Sequence, residues 1–87
     1  MDTTDWRLKE LVNTLEAMDT PEKMMNFLEG ILTLKELEEI PTRLQIVKLL
    51  KQGVSQHEIA EQLGIGIATV TRGSKEIQKG NFKYVKI

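Results

Sequence analysis

Gly66, Ala68, Thr69 and Thr71 stand together in this 87-residue chain, small or hydroxyl-bearing side chains with no bulky polar neighbour among them. Such residues suit close approach to another surface. Alanine and threonine methyls can meet thymine methyls, and hydroxyls can reach base edges or phosphates in a DNA groove. Lys75 follows with a positive charge suited to phosphate. His57 is suited to a phosphate or base-edge contact, and equally to a solvated surface position. Catalysis has less to work with. No cysteine is present to pair with His57, Ser55 is better used as a helix cap, and GIGIAT (64–69) lacks the lysine that a phosphate-binding loop requires. The carboxylates are spread along helical faces. No enzyme is expected.

The elements that must position these residues run from Val54 to Lys79. Ser55 is a good N-cap, and Glu58 three residues on completes a capping-box pattern. Ile59, Ala60 and Leu63 follow at core-facing spacing, and Gly64 supplies a left-handed C-cap. Ile65-Gly66 carries the chain round. A second helix begins near Ile67, with Val70 and Ile77 on one face and Thr69, Thr71, Arg72 and Lys75 on the others. Two short helices about a glycine-containing turn predict a helix-turn-helix whose second helix enters the DNA major groove. The competing readings are a hairpin that merely packs, or a protein–protein module that docks a partner.

The chain is expected to be one small all-α domain over residues 1–87. Dimerisation helices would occupy 1–53, the helix-turn-helix 54–79 and a short tail 80–87. Without cysteines, neither disulfides nor thiolate metal sites can staple so small a core, and a single histidine argues against zinc. No prosthetic group is expected. With 40% apolar residues and only 5% aromatics, the shortfall in core is most simply met by oligomerisation. No stretch approaches the ~18 apolar residues of a membrane span, and MDTTDW lacks the basic and apolar regions of a signal peptide. A cytoplasmic protein without membrane contact is expected. Residues 1–41 carry 4 Lys/Arg against 10 Asp/Glu, a net of −6, whereas residues 42–87 carry 8 against 3, a net of +5. The split fits a DNA-facing half and a remote half, or ordinary solvated charge.

Upstream, Thr4 or Asp5 caps a predicted helix to about Met18, with Leu8, Leu11, Val12, Leu15 and Met18 on one stripe and Trp6 anchoring its first turn. Thr20-Pro21 opens a second helix to about Leu32. It is apolar on two sides (Met24, Met25, Phe27, Leu28, Ile31, Leu32), as a helix covered by a partner chain would be. Thr33 with Glu36 forms another capping box for a third helix from Leu34, where Pro41 predicts a kink or short break. Gly53 closes it. The segment from Phe82 to Ile87 is left open between a strand-like arm, a final turn and a mobile tail. There are no repeats or linkers.

The run GIGIATVTRGS (64–74) strongly resembles the reader of the bacterial Trp repressor family. LTLKELEEIPTRLQIVKLL (32–50) is similar to that family's long central helix, including its Thr42-Arg43 pair. The resemblance covers about residues 27–79. The Gly80-Asn81 ending and short tail are closer to less characterised relatives of the same fold, with the family's last helix missing or curtailed. The family is itself a standard example of this groove-reading geometry and of water-mediated readout. The resemblance implies an all-helical, intertwined homodimer that binds a palindromic operator as a repressor, with L-tryptophan as corepressor. By the same resemblance, Gln56, His57, Gly66, Ile67, Ala68, Thr69 and Thr71 face DNA. The family's usual arginine and lysine are replaced by His57 and Ala60, which weakens the electrostatic contact.

The resemblance also assigns the corepressor to Arg43 and Arg72, with Leu32, Thr33, Val47 and Gly73 beside them. Two guanidinium planes can flank an indole, and one can pair with a carboxylate. Carbonyls near the end of the second helix, from Gly30 to Leu32, can accept an ammonium. The other reading makes Arg43 and Arg72 an ion-pair partner and a phosphate contact. Glu76 stands where the family offers a small hydroxyl, and Gly30 replaces a larger apolar residue. A regulator of the same fold that answers another ligand, or none, is the alternative.

Overall fold

Side-chain caps set most of the helix starts. The structure, a computed structural model, describes residues 5–87. Its helices are α1 (Trp6–Ala17), α2 (Pro21–Ile31), α3 (Leu34–Lys51), α4 (Gln56–Leu63) and α5 (Ile67–Gln78), with no strand among the described residues. Asp5 caps α1 by accepting from the Arg7 N–H; Thr4, the other expected cap, lies outside the described residues. Thr20 caps α2 by accepting from the Lys23 N–H, with Pro21 at the first helical position. Thr33 and Glu36 make the reciprocal capping box at α3, at 2.9 and 3.1 Å. Ser55 accepts from the Glu58 N–H at 3.3 Å, but no return bond from Glu58 is made, so only half of the expected box forms.

Pro41 breaks nothing. The helix α3 runs unbroken through it, although the proline lacks the N–H that would bond the Leu37 carbonyl. Thr42 Oγ1 donates to the Glu38 carbonyl at 2.9 Å and helps keep that turn closed.

The chain divides into two compact units, one up to Leu37 and one from Glu38 onward. In the first, no described side chain is buried. Trp6, expected to anchor the first turn of α1, is 69% exposed, and Met25 and Ile31 are more than half exposed. Such surface is what hydrophobic association removes from water.

The second unit has a dry centre. Ile46 of α3, Ile59 of α4 and Val70 of α5 are essentially inaccessible and form one cluster, bordered by Leu49, Leu50, Val54, Ala60, Leu63 and Ile65. The turn between α4 and α5 is built on Gly64, whose φ of 65° is left-handed, while the Ile65 N–H closes back on the Ala60 carbonyl at 3.0 Å. Gly73 matters for space instead. A Cβ there would stand 3.1 Å from Ile46 Cγ2 and 3.7 Å from Leu50 Cδ1, so the bare backbone lets α5 lie close on α3.

Ile59 joins all three helices at this centre. Ile59→Ala is expected to cost about 2–5 kcal/mol, read as a lower urea midpoint with an unchanged m-value; a loss within 0.5 kcal/mol, roughly a surface effect, would show that the cluster is not the core.

Candidate nucleic-acid interface and ligand cavity

With Val70 buried, the opposite side of α5 faces solvent. Gly66, Ile67, Ala68 and Thr69 are all exposed at its beginning, and Lys75 is exposed further along. Gly66 is the N-cap and brings no side-chain bond, which leaves first-turn N–H groups open to an acceptor such as a phosphate oxygen. Gln56 and His57 lie on the first turn of α4, half-buried and exposed respectively.

Thr71 and Gln56 are brought together. The Thr71 hydroxyl donates to Gln56 Oε1 at 2.8 Å, with the Ile67 carbonyl also within 3.0 Å. A bond across 15 positions ties the start of α4 to the middle of α5, so two residues assigned to DNA also brace the pair of helices.

A cavity of about 120 Å³ lies between α3 and α5 and is lined by Arg43, Ile46, Val47, Thr69, Arg72, Gly73, Glu76 and Phe82. It gathers four of the residues assigned to the corepressor: Arg43, Val47, Arg72 and Gly73. Leu32 and Thr33 belong to the first unit, as the half-buried C-cap of α2 and the capping-box residue of α3. Arg43 has a long 3.8 Å ion pair with Glu39, one turn earlier, the surface pairing foreseen as the alternative. Arg72 forms no salt bridge among the described residues. Thr69, assigned to DNA alone, borders the cavity from the α5 side.

Phe82 is a lining residue that sequence reasoning missed, because nothing local relates it to Arg43. The tail adopts the turn among the three conformations left open. Gly80 ends α5, and the Asn81 N–H bonds the Glu76 carbonyl at 3.1 Å. Lys51 Nζ donates to the backbone carbonyls of Phe82 and of Val85, the latter at 2.8 Å. Glu76 is held from two sides, by Lys79 Nζ at 3.0 Å and Asn81 Nδ2 at 2.9 Å. Its pKa is lowered, first by the Lys79 hydrogen bond and then by Asn81.

The depressed pKa sets the direction of a pH effect. The anchoring is fully present above the ordinary carboxylate range and is lost as pH falls through the lower folded value. An NMR titration is expected to show the Asn81 side-chain amide unchanged from neutral pH to about 5, then moving to its free position in acid. Movement already at pH 6 would mean that Glu76 does not hold it.

A family model described as Trp repressor protein matches residues 6–87. Over 74 residues the chain is 38% identical to a Trp operon repressor homolog of Xylella fastidiosa strain M23, covering 84% of this chain and 80% of that one. It is 37% identical over 76 residues to a Trp operon repressor homolog of Vibrio vulnificus strain YJ016, covering 86% and 72%. A third relative, the uncharacterized protein YerC of Bacillus subtilis strain 168, is 26% identical over 77 residues, covering 88% and 74%. No solved structure matches the chain. No helix among the described residues is long and apolar enough to cross a membrane. With five helices among the described residues, a helix-turn-helix at α4–α5 and a family match over residues 6–87, the chain belongs to the Trp repressor family.

Proposed function

We propose that this protein is a sequence-specific transcriptional repressor that binds a palindromic operator as a homodimer, with L-tryptophan as corepressor. The single observation that carries DNA reading is the exposure of Gly66, Ala68 and Thr69 at the start of α5, opposite the buried Val70. That face can approach a groove floor, while Gln56, His57, Ile67 and Thr71 flank it and Lys75 meets a phosphate. Residues 1–53 serve as the dimerisation part. The absence of any buried described side chain in the first unit supports this, because a second copy would cover its apolar stripes. Two readers would then enter successive major grooves about 34 Å apart, the spacing for which this family is a standard example.

The residues present fit an amino acid with an aromatic side chain. Arg43 and Arg72 share one cavity, Val47 supplies an apolar wall, and Gly73 has no side chain to fill the space. One guanidinium can stack on a ring and the other pair with a carboxylate; Leu32 and Thr33 complete the assignment. Arg43 and Val47 belong to α3 whereas Arg72 and Gly73 belong to α5. Occupancy would therefore bias the tilt of the reading helix. A hundredfold preference for the reading-competent tilt corresponds to about 2.7 kcal/mol.

A ligand-independent regulator of the same fold is the second reading, favoured by the Glu76 carboxylate in the cavity wall. Selection of bound sequences from random duplexes, with and without L-tryptophan, separates the two. Recovery of a two-fold-symmetric site only with tryptophan is expected, and recovery of the same site without it selects the second reading. Thr69→Ala is expected to change the preferred sequence, and Lys75→Ala to weaken all sites alike, several-fold at moderate salt. Identical behaviour of the two variants would overturn this placement of α5. No enrichment at low salt would overturn DNA binding altogether.

A further inference from the structure

Among the described residues eight line the cavity, and of these only Phe82 comes from outside α3 and α5. We infer that Phe82 is an intramolecular competitor for this cavity: the tail seats its own aromatic ring against the walls that would hold an indole, and a ring-bearing ligand binds only when Phe82 leaves. This rests on reading the cavity as an amino-acid site and specifies how that site is regulated.

Space is the first argument. An enclosed cavity of roughly 150 Å³ accommodates a single benzene ring. The space left here beside Phe82 is about 120 Å³ and opens to solvent, less than that benzene-sized volume. Seating both rings of an indole between the helical walls therefore requires Phe82 to give way. The helical walls are fixed by the buried centre, since Ile46 and Val47 are 1% and 2% exposed. Phe82 is 40% exposed and belongs to a turn, so it can withdraw without unfolding a helix.

Backbone conformation is the second. Phe82 has a φ of 64°, and among the described residues it alone combines a side chain with a positive φ. A bulky residue rarely adopts that region unless its surroundings impose it. The surroundings here are the Lys51 bonds to the carbonyls of Phe82 and Val85 and the Asn81 bonds to Glu76 on the other side.

The third concerns Glu76. Asn81 holds one of its carboxylate oxygens and Lys79 the other, which makes the carboxylate an anchor for the tail where the resemblance leads one to expect a small hydroxyl. Binding to a state populated only in fraction f weakens apparent affinity by 1/f. A tail closed nine-tenths of the time would thus weaken tryptophan binding about tenfold.

Calorimetry of L-tryptophan with the full chain tests this in wild type, Phe82→Ala and Lys51→Met. The lysine does not line the cavity, and its substitution releases the tail without altering the walls. Phe82→Ala is expected to bind tryptophan about tenfold more tightly than wild type, and Lys51→Met to shift in the same direction. Far-ultraviolet circular dichroism and the melting temperature serve as controls for folding. Unchanged or weaker binding by folded Phe82→Ala overturns the inference. If wild type nevertheless binds and Arg72→Ala abolishes binding, the amino-acid reading survives on its own. If none of the folded proteins binds tryptophan, both readings fall.

Discussion

The contact among Ile46, Ile59 and Val70 is the constraint on which the rest of the second unit depends. Each comes from a different helix and none is more than 1% exposed. Burying such a side chain contributes roughly 1.5–3 kcal/mol, so three of them can orient short helices that would be marginal alone. The α4 helix has only 8 residues and α5 only 12; neither would hold its geometry in water without this centre. Because Val70 points inward, Ala68 and Thr69 are left on the outside. The face proposed to read DNA is thus a consequence of the packing face.

Gly73 extends that logic to the cavity. Its missing side chain brings α5 close to α3 at Ile46 and Leu50, and the same closeness sets Arg72 and Arg43 around one space. The resemblance places Gly73 beside the corepressor, where a missing side chain leaves room for a flat ring. The structure adds a second reason for glycine there, since the backbone approach itself leaves little room for a Cβ. Core packing and the shape of the cavity are consequently coupled at one residue.

The first unit follows a different physical rule. Its caps are well formed, yet none of its described side chains is buried. Local hydrogen bonds define where a helix starts without removing apolar surface from water. The stripe of α1 and the two apolar sides of α2 were legible from periodicity. What covers them was not, because periodicity identifies a face and is silent about its partner.

By itself, the sequence determined features whose causes lie within about four residues. These are the caps at Asp5, Thr20, Thr33 and Ser55, the left-handed turn at Gly64, and hence the helix-turn-helix. The family could also be read there, because the run from Gly64 to Ser74 is short and contiguous. Tertiary structure alone decided the bonds that span long stretches of chain. Thr71 reaches Gln56 over 15 positions, and Lys51 reaches the carbonyls of Phe82 and Val85 over 31 and 34. Those pairings, and with them the tail and the wall that Phe82 adds to the cavity, exist only after the buried centre has brought distant segments together. Local pattern carries no record of that approach.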